Sequence, residues 1–402
     1  MSTIYEALEK YTSWQEDLYV HFHQHPELSM LEVETAAKIT EILDSLGYTT
    51  HQIGGGVVGV LENGTGPKVL FRADIDALAV KETTGLPYAS TAKAPNAAGE
   101  LVPAMHACGH DMHITAALGT ARALAEHRDE WAGTYIALFQ PGEETAQGAK
   151  SMVADGLTEK IPTPDYCFSQ HVLTTPESGK VGTTDGPFLS TAASLRVKVF
   201  GKGTHGSMPH LGIDAVTLAA AIVTRLQTIV AREVSPFDFG VVSVGKISAG
   251  AAANVIPGEA ELLLNVRAYS AEVREQLISA IKRIVTAECA ASGSPQEPEI
   301  DVYDEFPLTY NDPELNQKLT AHLRAVMGEE NVVALKAQTA SEDFSTIPDA
   351  FGCPYIYWGF GGFTAEQEKF PNHNPGFGPA LQPSLATGTK AATAAAMLFL
   401  GK

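Results

Sequence analysis

The chain has 402 residues, 45% apolar and 18% charged, and 27 Lys and Arg against 47 Asp and Glu leave a net charge of −20. At roughly 100–200 residues per domain this is about two or three domains, with enough apolar content for a sizeable core, which excludes a disordered chain. No basic run is present to follow phosphates, so neither nucleic acid nor an anionic membrane is an expected partner, and the acidity reads as a source of solubility.

No stretch reads as the roughly 18 continuous apolar residues of a membrane span. The first residues, MSTIYEALEKYTSWQEDLYVHF, carry charges throughout. They predict an amphipathic helix and not a signal peptide. Cys108, Cys167, Cys289 and Cys353 contain no CxxC pair, which argues against a disulfide framework and for a reducing cytoplasm.

Along the chain, 68–72 (KVLFR), 133–139 (GTYIALF) and 166–170 (YCFSQ) are near-continuous apolar runs, as strands buried on both faces require. Between them, 112–127 has apolar residues at helical spacing. Strands alternating with helices predict a mostly parallel sheet with helices on both faces. The character changes near Gly186-Pro187. Residues 194–200 (SLRVKVF) alternate strictly, and a helix over 213–232, strands at 240–247 and 259–268, and a second helix at 271–291 follow. The predicted fold is therefore α/β with an inserted α+β domain. The first domain spans 1–186 and resumes at 304–402, with a buried strand at 354–358 and an Ala-rich terminal helix, and the insert spans 187–303.

The polar residues fall where the apolar runs end. Asp74 and Asp76 follow 68–72, Glu143 and Glu144 follow 133–139, His171 follows 166–170, and a Gly-rich stretch after 354–358 leads to His373. In open α/β sheets ligands bind beyond the carboxyl ends of the strands, so four strands aim carboxylates and imidazoles at one rim. The densest cluster is MHACGHDMH, with His106, Cys108, His110, Asp111 and His113. Cys108 and His110 are two apart and share a face if extended. Thiolate, imidazole and carboxylate together suit Zn²⁺ or a similar divalent ion. Adjacent Glu143 and Glu144 suggest a division of labour, one ligating metal while the other acts as general base.

Three other motifs carry no chemistry on this reading. GVVSVGKI at 240–247 nearly matches a phosphate-binding loop, but Ile247 stands where a hydroxyl is needed. Gly54-Gly55-Gly56 reads as a turn. His21, His23 and His25 in HFHQHPEL lack an adjoining rim of carboxylates and read as structural.

Taken in order, FRADIDAL, MHACGHDMH, QPGEE, HGSMPH, ANVIP, SEDFS and HNPGF closely resemble the amidohydrolase branch of the aminoacylase/carboxypeptidase metallohydrolase superfamily. The resemblance runs from about residue 20 to the C-terminus. It implies a catalytic domain with an inserted lid, and two divalent ions per subunit held by Cys108, His110, Glu144, His171 and His373, with Cys108 bridging. Zinc is the expected ion, manganese or cobalt the alternatives. Glu143 resembles the general base, and either Asp74 or Asp76 the aspartate that orients a ligand. From the lid, His205 resembles a stabiliser of the transition-state oxygen, often lent by a partner subunit, and Asn254 and Arg267 resemble residues that position substrate. The implied reaction is hydrolysis of the amide bond of N-acyl amino acids, in a homodimer joined through the lid; a dipeptidase or carboxypeptidase on the same scaffold is the alternative. Two positions depart from the family pattern. Ala79 stands where Pro is common, and QPGEE replaces QPAEE, which is expected to loosen the turn carrying the base.

Overall fold

The strand Lys68–Asp74 is buried from its second residue to its last, because it has neighbours on both edges and both faces. The computed structural model describes residues 3–96 and 98–402 and divides into two units. The larger comprises residues up to Phe188, Thr309–Ala337 and Asp343–Lys402; the smaller comprises Leu189–Leu308 and Gln338–Glu342.

In the larger unit an eight-stranded sheet runs in the order Thr49–Ile53, Gly56–Asn63, Gly133–Gln140, Lys68–Asp74, Tyr166–Glu177, Tyr355–Phe363, Val181–Thr183, Val332–Ala334. The four central strands are mutually parallel, and an antiparallel pair extends one side. Val69, Phe71 and Ala73 face the main apolar cluster, which includes residues of the helices Thr12–Gln24, His110–Glu126 and Leu381–Leu400. On the opposite face Arg72 and Gln140 bond to Asp343, which also accepts from the amide of Ala149 in the helix Gly148–Ala154. Helices thus cover both faces, as an α/β sheet requires.

Gly54 and Gly55 form the two-residue turn between Thr49–Ile53 and Gly56–Asn63, with φ of 56° and 89°. Positive φ at both central residues matches the right-handed twist of a hairpin and favours glycine. A Cβ on Gly54 would also lie 2.5 Å from the backbone of Met152.

The smaller unit is a four-stranded antiparallel sheet in the order Gly240–Ala249, Glu259–Ala268, Thr191–Phe200, Glu299–Phe306. Every second residue of Glu259–Ala268 is buried, so one face packs on the helices Ala215–Leu226 and Ala271–Ala291. Asp214 and Ser270 cap these helices by accepting from Val216 and Val273 amides. The sequence predicts one helix over 213–232, but it breaks at Gln227 into Ala215–Leu226 and Thr228–Arg232. By length and composition this segment could cross a membrane, which the reading of continuous apolar runs had passed over. Its residues Leu218, Ile222, Leu226 and Ile229 instead pack in the smaller unit's core. The strand Glu299–Phe306 was not predicted, because its acidic residues interrupt the apolar pattern. Residues 240–247 form a strand with a register shift between Val244 and Lys246, a geometry unrelated to a phosphate-binding loop.

Candidate metal centre

The strands and one helix of the larger unit bring the predicted rim residues together. Lys68–Asp74 ends on Asp74, with Asp76 two residues beyond. His110 is the first residue of its helix and Cys108 lies two residues before it. Glu143 and Glu144 sit in a single tight turn after Gly133–Gln140. His171 lies within Tyr166–Glu177, and His373 in the loop before the last helix.

Backbone details hold these groups. Gly109 has φ 83°, and a Cβ there would lie 2.3 Å from Cγ1 of Val172. Only glycine lets the chain enter the helix so close to that strand. His373 also has a positive φ, 70°, and its amide donates to the Ala107 carbonyl at 2.8 Å, which fixes its loop against the cysteine loop. The turn with Glu143 and Glu144 is tied to both neighbouring segments. The Gly142 amide donates to Glu32 Oε1 at 2.7 Å and the Glu144 amide to Asp76 Oδ2 at 3.0 Å.

Donor atoms of Cys108, His110 and His171 lie within 4.8 Å of one another, as do those of Cys108, Glu144 and His373. Cys108 is common to both groups. Its Sγ is 3.4 Å from His171 Nε2, and Glu144 Oε1 is 3.2 Å from His373 Nε2 and 3.9 Å from His110 Nε2. A third group, His110, Glu143 and Glu144, meets the same distance limit, and Glu143 is buried. The other ring nitrogen of His171 and of His110 has a partner. His171 Nδ1 donates to the Val172 carbonyl at 2.7 Å and His110 Nδ1 to Asp76 Oδ1 at 3.1 Å. Such bonds fix the tautomer and aim Nε2 at the site. Among the described residues, His110 Nε2 and Glu144 Oε1 are buried without a well-formed hydrogen bond, the approach of His373 Nε2 to Glu144 Oε1 being an ion-pair contact. Buried polar atoms left in this way are costly, and a divalent cation between them would satisfy both. A thiolate, imidazoles and a carboxylate are a donor set suited to zinc or a similar transition ion.

The surrounding charges reinforce the arrangement. Burial alone would raise the Asp74 carboxyl, but His110, His113 and Arg72 hold it well below the usual range. Burial alone would lower His110, but Asp74, Asp76 and Cys108 raise it well above the usual imidazole value. Burial and the nearby Glu144 raise the Cys108 thiol, so its ionisation needs a cation close by.

The remaining members of MHACGHDMH have separate tasks. His113 donates from Nδ1 to Asp74 at 2.6 Å and accepts the Val172 amide at Nε2. Asp111 bonds to His23. His106 is buried with neither ring nitrogen bonded among the described residues, and burial pushes it down to about 4. His23 does meet carboxylates, contrary to expectation, in Asp111 at 2.7 Å and Glu82 at 3.2 Å. Sequence reasoning also missed Arg72 and Glu32; a charged residue inside an otherwise apolar strand was the available signal for Arg72.

The smaller unit carries the other predicted residues. His205 and Asn254 are brought together where Thr204–His205 pairs with Val255–Ile256, and the Gly206 amide donates to the Asn254 carbonyl at 2.7 Å. Both are exposed. Arg267 is half-buried and donates to the Thr339 carbonyl at 2.7 Å and to Ser341 Oγ at 3.1 Å.

A parallel sheet whose rim gathers these donors, with an α+β insertion, is the scaffold of a metal-dependent amide hydrolase that holds two divalent ions. The chain belongs to peptidase family M20/M25/M40, whose sequence pattern matches residues 70–397. It is 34% identical to an IAA-amino acid hydrolase of Arabidopsis thaliana, over 93% of this chain and 85% of that one. It is 32% identical to a thermostable carboxypeptidase of Saccharolobus solfataricus, over 88% of each. The structure of a dinuclear metal-binding peptidase of the M20 family from Bacillus subtilis is similar to it, with a TM-score of 0.77, 26% identity and coverage of 97% of this chain and 99% of that one.

Proposed function

We propose that the protein hydrolyses the amide bond of N-acyl amino acids, releasing a carboxylic acid and an amino acid. The observation that carries this reading is the convergence of Cys108, His110, His171, Glu144 and His373 beside a buried Glu143. In this reading the five residues would hold two divalent ions, zinc or alternatively manganese or cobalt, and Cys108 is the donor common to the two groups. When bound, such ions supply Lewis acidity toward the amide carbonyl and acidify water. Glu143 takes the proton of the attacking water and returns it to the leaving amine. Asp76 orients His110 through Nδ1, while Asp74 orients His113.

Residues 187–303 serve as a lid and dimerisation segment between the two parts of the catalytic domain, 1–186 and 304–402. From it, His205 stabilises the developing oxyanion and Asn254 positions the substrate. Arg267 pairs with the amino-acid carboxylate through its planar fork, and its bonds to Thr339 and Ser341 support a fixed side chain. A homodimer in the cytoplasm fits this assignment. The test is metal analysis of the purified protein, followed by assay over a panel of N-acyl amino acids and of dipeptides. Hydrolysis of the N-acyl amino acids supports the reading. Hydrolysis of dipeptides alone would replace it with a dipeptidase or carboxypeptidase, the second reading, which the likeness to the Saccharolobus solfataricus enzyme favours.

A further inference from the structure

Two cysteines stand apart from the metal centre and almost touch. Cys167 is the second residue of the strand Tyr166–Glu177, and Tyr355 of the neighbouring parallel strand lies directly across from it. Cys353 precedes Tyr355 by two residues, in the short link between the helix Thr346–Phe351 and that strand. The Cys167 amide donates to the Pro354 carbonyl at 3.1 Å, and the Cys353 amide to the Pro348 carbonyl at 3.1 Å. Both backbones are thereby anchored. The Sγ atoms are 3.2 Å apart, closer than sulfur atoms in ordinary van der Waals contact. A disulfide needs about 2.05 Å, so roughly 1 Å of closure separates contact from bond.

We propose that Cys167 and Cys353 form a reversible redox pair, in which Cys353 is oxidised first by a peroxide and Cys167 then closes a disulfide with it. Exposure sets the order. Cys353 is partly exposed, whereas Cys167 is buried. Burial and the neighbouring thiol also raise Cys167 well above the ordinary thiol value, so it is not the group that meets a soluble oxidant as a thiolate. In the first step the Cys353 thiolate attacks hydrogen peroxide. One S–O bond forms, the O–O bond breaks, and hydroxide leaves with a sulfenic acid on Cys353. In the second step the Cys167 sulfur attacks the Cys353 sulfur, the S–O bond breaks, and water leaves with the proton of Cys167. Two electrons pass from the two thiols to peroxide. An added dithiol reverses the sequence by exchange.

Cys167 lies at the start of its strand and His171 four residues further along, so the cross-link forms away from the proposed ligands, and the inference does not rest on the assigned substrate. Its test uses the full-length, metal-loaded protein treated with hydrogen peroxide, then alkylated under denaturing conditions and mapped by mass spectrometry. The expected result is a linked pair of peptides containing Cys167 and Cys353, with those two of the four cysteines protected from alkylation and recovered after dithiothreitol. Cys353→Ser should lose the linked peptides and leave Cys167 alkylatable. Peroxide treatment that leaves Cys167 alkylatable in the wild type, or that carries Cys353 to sulfinic acid without a cross-link, overturns the proposal.

Discussion

His23 Nδ1 and Asp111 Oδ2 lie 2.7 Å apart in the interior, which ties the first long helix to the residue next to His110. Burial alone would lower His23, but its hydrogen bonds to Asp111 and Glu82 raise it to about 10. In the unfolded chain a histidine titrates near about 6.5. The stabilisation is therefore fully present below about 6.5 and is lost as pH rises toward 10. The same bonds lower Asp111 and Glu82 against the opposing effect of burial, so their share is lost on the acid side. Unfolding midpoints measured against pH should fall on the alkaline side in the wild type. His23→Gln should cost about 3 kcal/mol at pH 6 and flatten that alkaline decline. An unchanged slope would show that the pair does not carry the pH dependence.

Glu143→Gln should keep the metal content and lower kcat by at least about two orders of magnitude. Amide and carboxyl have nearly the same shape, so the buried turn should remain folded. Metal analysis and steady-state kinetics on the same preparation decide the matter. A parallel fall of metal and rate would assign Glu143 to metal binding and not to proton transfer.

Cys108→Ala should lower the occupancy of both ions, since Cys108 belongs to both donor groups. Asp76→Asn should act more mildly, weakening metal affinity by about 10–100-fold through the His110 ring it holds. Titration with a competing chelator ranks the variants. Wild-type affinity in Cys108→Ala would remove the thiolate from the ligand set.

Gly109→Ala places a Cβ against Val172 at a φ of 83°. The backbone strain alone costs about 1–3 kcal/mol. Adding Val172→Ala should restore the part due to the clash and leave the part due to φ. If the double variant is no more stable than the single one in chemical denaturation, the close approach is not the source of the loss.

Much of the site was legible because its polar residues directly follow apolar runs, as Asp74 follows KVLFR and His171 follows YCFSQ. The ordered motifs then singled out candidate ligands among their neighbours. Composition could not do this alone, since Asp111 and His113 look as able to bind metal as His110. What distinguishes them is tertiary: Asp111 meets His23, and His113 is held between Asp74 and the Val172 amide. Arg72 was passed over because its partners, Gln140 and Asp343, are remote in sequence. The strand Glu299–Phe306 escaped because its acids sit on the wetter side of a sheet edge, where apolar periodicity is weak.

The outermost strands of the eight-stranded sheet bear on how the protein behaves when crowded. One border is TTHQI, mostly polar and only partly buried, and the other is only three residues long, Val332–Ala334. Neither offers a long greasy ribbon to which a stray chain could add its own backbone. The interior strands are the adhesive ones, and they are sealed between neighbours. The eight-stranded sheet should therefore resist edge-to-edge association while the larger unit is folded and become prone to it only when its central strands are laid bare.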